Sequence, residues 1–368
     1  MNQKPKIAVI GLKGLPAFGG AATVGENIIG HLKDRYDFTV LSVASHTTIK
    51  TGYINGINQI VFKKYGKGAL NTLLYYLRCL IHCFAHNYDL VHLHHAESGF
   101  ITPLLRLKYK VVVTFHGVYR GIDPKFSALQ NRLFRQSEKL TIKYANQVIS
   151  VSKPDQDYVY QKYKKRINYV PNGINLISER GITNLSKEPE EYILFAAARI
   201  YEIKGLHLLL KAAINSNQTV KIMVVGDLDQ VREYKKDILK LAEGLNVEFL
   251  GLIKSKSELY KVIRKSKFFV FPSLTEAMSM MLLEVVSLKK PVIASDIPSN
   301  KEIFSDDELL FFESDNVADL TEKLKYAIMN GNDMDLRALK AHEKVKSRYT
   351  WSAISLKYHE IYNNLVSL

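Results

Sequence analysis

The sequence has few cysteines, no secretory leader pattern and no apolar run long enough to cross a bilayer. Only two of its 368 residues are cysteine. Cys79 and Cys83 lie four residues apart, which places both thiols on one helical face and does not suit a structural disulfide. The N-terminus, "MNQKPKIAVIG", leads directly into a strand pattern without a signal-peptide apolar region. The expected compartment is therefore a reducing cytoplasm.

The longest apolar run, "TLLYYLRCLIHCFA", is interrupted by Arg78 and His82. A membrane-spanning helix needs about 20 consecutive, mostly apolar residues. The run therefore predicts a helix that lies on protein.

Positive charge is in excess, with a net charge of +15 and a pI of about 9.4. Basic clusters interleaved with tyrosine and phenylalanine occur at residues 62–68, 132–139 and 162–166. Nucleic acid, an anionic membrane surface and a phosphorylated substrate all fit such clusters, as does a solvated basic surface without a partner. Because no nucleic-acid-binding motif accompanies the charge, an anionic membrane is favoured and nucleic acid is not expected.

Short apolar runs alternate with amphipathic helical patterns along the whole chain. This alternation predicts an α/β protein with two parallel sheets covered by helices on both faces. The polar stretch 178–191 is the expected seam between an N-terminal domain, residues 1–178, and a second domain, residues 179–350. The predicted strands are "KIAVIG", "FTVLSVA", "DLVHLHH", "KVVVTFHG", "QVISVS" and "INYVPNG", then "EYILFAAAR", "VKIMVVG", "NVEFLG", "FFVFPS", "PVIAS" and "LLFF".

Ligands of such sheets bind beyond the carboxyl ends of the strands, so we expect a site in a cleft between the two domains. A loop with four glycines, Gly11, Gly14, Gly19 and Gly20, follows the first strand. It lacks the Lys-Ser/Thr of a Walker loop, and the second strand ends without the acidic residue of a dinucleotide site. The loop predicts a close backbone approach to a ligand, or simply a tight turn.

Histidines end two neighbouring predicted strands. Alternation should place His92 and His94 on one face and His95 on the other. A zinc site is conceivable there, but no carboxylate or thiol stands at a familiar spacing, so no metal is predicted. His116, beside a glycine, is expected either to project into the cleft or to serve as a hydrogen-bonded structural residue.

In the second half, Arg199 and Lys204 lie at a strand end and near the start of the next helix, which predicts an anion site where helix amides also converge. Asn172-Gly173 is expected to form a turn with left-handed backbone, and Asn172 is a candidate ligand contact. Asp227 and Asp229 suit a metal–nucleotide complex, but a polar loop before a helix is the preferred interpretation.

Two glutamates stand in the apolar segment "PSLTEAMSMMLLEVVSLKKPVIAS". Glu276 is predicted in the loop before a helix, and Glu284 two turns into that helix. The free amides at the helix start, together with Glu276, suit sugar hydroxyls, and Glu284 suits a vicinal diol such as ribose. The residues expected to present those amides are Met278, Ser279, Met280 and Met281.

Six motifs in order, "GLPAFGG", "TFHG", "VISVSKPDQDYV", "YVPNGI", "ARIYEIKG" and "FPSLTEAMSMMLLEVVSLKKPVIAS", resemble retaining GT-B glycosyltransferases of family 4, also called group 1. The resemblance covers essentially the whole chain. It implies two Rossmann-like domains facing across a cleft, with residues 351–368 forming a helix that crosses back to the N-terminal acceptor domain.

The resemblance also implies residue roles. Arg199 and Lys204 would bind the diphosphate of a nucleotide-sugar donor, and Glu284 its ribose. Glu276 and the amides after it would bind the sugar, with His116 near the reacting carbon and Gly19 and Gly20 near the phosphate. No metal or other cofactor is expected, since the two cations replace it.

The sequence departs from the family pattern in two places. Ala277, Met278 and Ser279 stand where Gly-Phe-Gly is frequent, which leaves the identity of the sugar open. Lys289 replaces a frequent glycine, which should alter a helix end and not the chemistry.

The expected reaction moves a sugar, with retention, from a UDP-, GDP- or dTDP-linked donor to a lipid-linked or cell-envelope glycan, as in O-antigen or capsule synthesis. The protein should then lie in the cytoplasm against the inner face of the plasma membrane, in peripheral contact with anionic lipid. A nucleotide-sugar epimerase or phosphorylase and a non-catalytic glycan-binding subunit are the alternatives.

Overall fold

A computed structural model describes residues 3–17, 19–66, 68–118, 127–176, 192–217 and 219–367. The chain divides into two units, each with a sheet and a core of its own. Unit 1 comprises Met1–Gly173 and Trp351–Leu368, and unit 2 comprises Ile174–Thr350. The predicted seam, 178–191, lies outside the described residues.

Unit 1 is built on one sheet whose neighbouring strands are parallel, except for an antiparallel pair at one edge. Its strands are β1 (Lys6–Lys13), β2 (Asp37–Val43), β3 (Gly52–Ile54), β4 (Ile57–Phe62), β5 (Leu90–His94), β6 (Lys110–Phe115), β7 (Gln147–Ser150) and β8 (Asn168–Tyr169). Their order in the sheet is β3-β4-β2-β1-β5-β6-β7-β8.

Helices cover this sheet, which is why the central strands are apolar on both faces. Ile7, Val9 and Ile10 of β1 are all fully buried. The helices before the seam are α1 (Gly20–Leu32), α2 (Gly68–Ala85), α3 (Thr102–Leu105), α4 (Ala128–Tyr144) and α5 (Lys153–Tyr163).

The apolar run after residue 68 forms α2, so the predicted helix is confirmed. Within the described parts of the chain, only one of its faces lies on protein: Tyr75, Tyr76, Cys79 and Cys83 are buried in the core of unit 1. Both thiols are free. The opposite face carries large apolar side chains that are exposed, which the sequence interpretation did not anticipate.

Unit 2 contains a second sheet with all neighbouring strands parallel. Its strands are β9 (Tyr192–Arg199), β10 (Lys221–Asp227), β11 (Val247–Gly251), β12 (Phe268–Phe271), β13 (Val292–Ser295) and β14 (Leu310–Phe312), in the order β11-β10-β9-β12-β13-β14. Its helices are α6 (Leu206–Ser216), α7 (Arg232–Ala242), α8 (Lys256–Lys265), α9 (Met280–Ser287), α10 (Pro298–Ile303), α11 (Val317–Met329) and α12 (Gly331–Arg348).

The last helix, α13 (Trp351–Val366), belongs to unit 1, where it packs against α1. Gly173 lies directly against it, since a Cβ on this residue would come within 2.8 Å of the Trp351 ring. In the part of the chain that the structure describes, no helix has the length and apolar content to cross a membrane.

In the middle of each sheet the chain order of the parallel strands reverses, between β1 and β5 in unit 1 and between β9 and β12 in unit 2. Connections leave such neighbouring strands in opposite directions, so a crevice opens at their carboxyl ends. The residues that follow β1, β5, β9 and β12 are therefore the best placed to meet a ligand.

The α/β class and all the predicted strands are confirmed. The antiparallel hairpin of β3 and β4 was missed. Its turn is Asn55-Gly56, with φ of +52° and +82°, and Asn-Gly between apolar runs favours such a hairpin.

Candidate functional site

The loops after β9 and β12 meet at the crevice of unit 2. Gly205 has a φ of +72°, and a Cβ on it would lie 1.9 Å from the carbonyl oxygen of Pro272. The Leu274 amide donates a hydrogen bond to the Ile203 carbonyl at 2.9 Å. Glycine at 205 thus allows two loops that are distant in sequence to touch.

Lys204 and Glu276 form an ion pair across these loops, with 2.5 Å between Nζ and Oε1. Their side chains are only 21% and 14% exposed. The pair is therefore largely shielded from water, and its attraction is less screened than that of a surface pair. The structure thus joins the residue predicted for the diphosphate to the residue predicted for the sugar.

Arg199 is the last residue of β9 and is exposed. Its neighbour across the sheet is Asp227, whose carboxylate accepts a hydrogen bond from the Asp229 amide at 2.9 Å. Asp227 and Asp229 thus form a polar loop before α7, as preferred from the sequence. Arg199 makes no ion pair with a described residue, so its guanidinium is open to an anion.

Glu284 lies in α9 and is 5% exposed. Its Oε1 pairs with Lys256 Nζ at 2.7 Å. The pKa of the Tyr260 phenol is raised by burial, by the negative charge of Glu284 and by a hydrogen bond with Glu284. A carboxylate has about four acceptor positions, so Glu284 keeps capacity for a diol.

Lys256 and Tyr260 were not predicted as site residues. Both lie on α8, four positions apart and thus on one face. The spacing alone could have shown that they share a face, but nothing in the sequence showed that this face meets Glu284.

The helix α9 begins at Met280, one residue after its N-cap Ser279, whose hydroxyl accepts a hydrogen bond from the Leu282 amide at 3.3 Å. The amides of Met280 and Met281 lie in the first helical turn, where no intrahelical partner exists. Met278 precedes the helix and is buried. The helix ends at Ser287, and Lys289 has the left-handed φ of +57° that makes glycine frequent at such ends.

In unit 1, Gly11 brings β1 against β5. Its φ is +105°, and a Cβ there would lie 2.4 Å from the His94 carbonyl oxygen. Gly19 is the N-cap of α1 with a φ of +101°, and Gly20 is the first residue of that helix. A side chain on Gly19 or Gly20 would meet no described atom within 4 Å, so tight packing does not explain glycine at these two positions.

Four histidines gather at the ends of β5 and β6. His94 Nδ1 lies 3.0 Å from His116 Nε2, with the two rings stacked. His95 leaves the strand with a φ of +74°, and its ring centroid lies 5.2 Å from that of His116. The predicted placement of His95 on the opposite face was therefore wrong, because the positive φ ends the alternation.

His92 extends this cluster into the core. Its Nε2 lies 2.9 Å from Thr114 Oγ1 and its Nδ1 lies 2.7 Å from Tyr362 Oη of α13. Burial lowers the pKa of His92 to about 3 and holds the pKa values of His94 and His116 well below the ordinary 6.5. These imidazoles are neutral near pH 7, so they exchange hydrogen bonds without adding charge.

The predicted left-handed turn at Asn172-Gly173 was also wrong, since neither residue has a positive φ. Glycine is needed at 173 because the Trp351 ring occupies the space of a side chain. Asn172 is buried. Among the described residues, no group of three or more His, Cys, Asp and Glu side chains is arranged to hold a metal ion.

Comparison with known proteins identifies the family to which the chain belongs. The profile of "Glycosyl transferases group 1" matches residues 179–344, and that of "Glycosyltransferase Family 4" matches residues 18–177. The chain is a GT-B glycosyltransferase of group 1. Arg199, Lys204, Glu276 and Glu284 fall within the group 1 match, and His116 falls within the family 4 match.

Relatives of the glycosyltransferase include an uncharacterized glycosyltransferase of Methanocaldococcus jannaschii, 25% identical over 95% of this chain and 96% of the relative. The O-antigen biosynthesis glycosyltransferase WclY of Escherichia coli is 24% identical over 71% of this chain and 74% of its own.

Among solved structures, sucrose-phosphate synthase of Thermosynechococcus elongatus has a TM-score of 0.83 at 20% identity and covers 99% of this chain and 100% of its own. Anabaena Alr3699/HepE, in complex with UDP and glucose, has a TM-score of 0.78 at 19% identity with the same coverage. At this identity the structures support the fold alone, and that fold is GT-B.

Proposed function

We propose that this glycosyltransferase moves a sugar, with retention of configuration, from a nucleotide-sugar donor to a lipid-linked or cell-envelope glycan. The observation that carries the donor assignment is the Lys204–Glu276 pair at the strand-order reversal of unit 2, five residues after Arg199 at the end of β9. Two cations there can neutralise a diphosphate without a metal ion. In the free protein Glu276 holds Lys204, and the donor phosphate then competes for the ammonium.

In the proposed reaction the bond between the anomeric carbon and the phosphate oxygen breaks. The acceptor hydroxyl oxygen bonds to that carbon on the same face, and its proton passes to the departing phosphate oxygen. Arg199 and Lys204 stabilise the charge that grows on the diphosphate, while Glu276 and the amides of α9 orient the sugar. His116, neutral by burial, is proposed to accept or donate a hydrogen bond at the sugar.

The acceptor assignment has separate support. A relative is named for O-antigen biosynthesis, and the basic side chains suit a protein that works at an anionic membrane on the cytoplasmic side. The donor nucleotide is proposed to be UDP, GDP or dTDP. The family assignment argues against the epimerase and non-catalytic alternatives.

A thermal-shift screen with UDP-, GDP- and dTDP-sugars tests the donor assignment, because a ligand of the native state raises the melting temperature. The best donor is then incubated with and without acceptor. Retained anomeric configuration in the product, observed by NMR, supports the same-face reaction, whereas inverted configuration overturns it. Turnover without acceptor to an epimer would overturn transfer itself.

A further inference from the structure

The excess positive charge of the chain belongs entirely to unit 1. The residues of unit 1 include 25 Lys and Arg against 10 Asp and Glu, whereas those of unit 2 include 26 of each. The net +15 of the chain is thus the net charge of unit 1, and unit 2 is neutral. Such segregation gives one unit a field that attracts an anionic partner.

Acidic residues are absent from a long part of unit 1. No Asp or Glu occurs between Asp37 and Asp89, a stretch with five basic residues. The helix α2 lies within this stretch and has no acidic side chain. Its surroundings therefore carry positive charge that local acidic groups do not neutralise.

The outer face of α2 carries an uninterrupted apolar stripe, which we call the α2 ridge. Its members are spaced by three or four residues, so they align along one side of the helix. They are 39–68% exposed, opposite the buried face formed by Tyr75, Tyr76, Cys79 and Cys83. The ridge consists of Leu70, Leu73, Leu77, Ile81 and Phe84.

Cations lie at both ends of the ridge. Lys63 and Lys64 are exposed directly before α2. Arg78 stacks its guanidinium 4.1 Å from the exposed Tyr65 ring and donates to the Lys63 carbonyl at 3.1 Å. At the other end, the Lys108 ammonium donates to the Phe84 carbonyl at 3.0 Å. An apolar stripe bordered by Lys and Arg is typical of helices that lie in a bilayer interface.

The neighbouring helices extend this surface. α3 packs against both α2 and α4, and Leu104 of α3 and Leu107 after it are exposed. The single acidic residue of α4, Glu138, is buried and accepts a hydrogen bond from the Tyr163 hydroxyl at 2.7 Å. No exposed side chain of α4 is acidic, and the exposed ones include Leu129, Arg132, Leu133, Arg135, Gln136, Lys139 and Lys143.

We propose that unit 1 binds an anionic lipid bilayer by inserting the α2 ridge among the lipid headgroups, with the surrounding lysines and arginines on lipid phosphates. The proposal rests on the proposed transfer to a lipid-linked acceptor and names the element that meets the lipid. A second copy fits this face less well, since it would bring two units of like positive charge together. RNA would use the charge, but it would gain nothing from the four aliphatic side chains of the ridge, which can neither stack with bases nor bind phosphate.

The test is flotation of the purified full chain with vesicles of phosphatidylcholine, with or without phosphatidylglycerol. We expect binding only to the anionic vesicles. Ile81→Glu removes the most exposed ridge side chain and should weaken partitioning by at least about tenfold. Lys63→Gln and Lys64→Gln should each weaken it on the order of fivefold.

Leu336→Glu is the matched control, because Leu336 is a 60% exposed leucine on α12 of the neutral unit 2. It should bind vesicles like the wild type. Equal binding of neutral and anionic vesicles, equal loss in the Ile81 and Leu336 variants, or unchanged binding of Ile81→Glu would each overturn the proposal. Two further results would overturn it. If the wild type is a dimer that Ile81→Glu converts to a monomer, the ridge binds a second copy of the chain. If RNA binds and vesicles do not, the positive surface binds RNA.

The thermal shift produced by nucleotide sugars separates this proposal from the proposed function. Ile81→Glu should keep the full shift, because α2 contains none of the residues proposed to contact the donor. If no nucleotide sugar raises the melting temperature while ridge-dependent vesicle binding persists, the proposed transfer reaction is refuted and the proposed membrane-binding surface is supported.

Discussion

Replacing Lys204 and Glu276 singly and together measures the coupling energy of their ion pair, with and without a bound donor. At 2.5 Å and an effective dielectric constant of about 20, the attraction is about 7 kcal/mol before desolvation. Most of this is offset, since a hydrogen bond between charged groups contributes about 1.5–3 kcal/mol net. We therefore expect a coupling energy of about 1.5–3 kcal/mol from Lys204→Ala, Glu276→Gln and the double variant in urea unfolding.

The same variants should behave differently once the donor is bound. If the diphosphate takes over the Lys204 ammonium, the coupling with Glu276 should fall towards zero at saturating nucleotide sugar. Lys204→Ala should lower kcat/KM on the order of 10²–10³-fold, equivalent to about 3–4 kcal/mol of transition-state stabilisation. Steady-state transfer assays at several donor concentrations provide this value.

Lys221 supplies the control. It pairs with Glu248 at 2.6 Å in the same unit, but both side chains are more than a third exposed. Lys221→Ala should leave kcat/KM unchanged, and its coupling with Glu248 should be about 0.2–1 kcal/mol. Normal turnover by Lys204→Ala, or a Lys204–Glu276 coupling no larger than that of the control pair, would refute the assignment.

Three further outcomes are expected. In urea unfolding, Gly205→Ala should destabilise unit 2 by roughly 3 kcal/mol or more, because the new Cβ would overlap the Pro272 carbonyl. Gly251→Ala is the control, since Gly251 has a similar φ but lies in open space, and it should cost only about 1–2 kcal/mol. Glu284→Gln should weaken nucleotide-sugar binding about tenfold in calorimetry, since a neutral amide accepts fewer and weaker hydrogen bonds from a diol. The free energy of unfolding should fall as the pH drops from about 6.5 towards 3, by up to about 1.4 kcal/mol per pH unit for His92. Its folded pKa of about 3 lies below the ordinary 6.5, so the unfolded chain binds the extra proton, and a shallower slope is expected for His92→Gln.

The sheets were predictable because their strands are buried on both faces and appear as continuous apolar runs. Arg199, Lys204 and Glu276 were predictable as candidates because each lies at the end of such a strand or closely follows it, where parallel sheets present their ligands. The contact of Lys204 with Glu276 depends on Gly205, whose left-handed backbone and missing Cβ let two distant loops touch.

Features set by tertiary packing could not be predicted from the sequence. Lys256 reaches Glu284 from a separate helix, and no local pattern shows which helices become neighbours. His95 departs from strand alternation through one positive φ, which histidine adopts more readily than most residues. For α2 the composition predicted a helix on protein, but it could not show that the second apolar face would stay uncovered.

The charge distribution implies that the two proposed ligands respond differently to salt. Unit 2 has no net charge, so the proposed donor would depend on short contacts with Arg199 and with Lys204, and the latter is largely shielded from water and therefore weakly screened. Unit 1 attracts lipid through many exposed cations, whose reach is limited to a Debye length of about 8 Å at physiological salt. Raising the salt concentration should therefore weaken vesicle binding far more than nucleotide-sugar binding, and the part of vesicle binding that survives should depend on Ile81. A common salt dependence of both ligands would mean that they share one cationic surface, contrary to the separation of charge between the units.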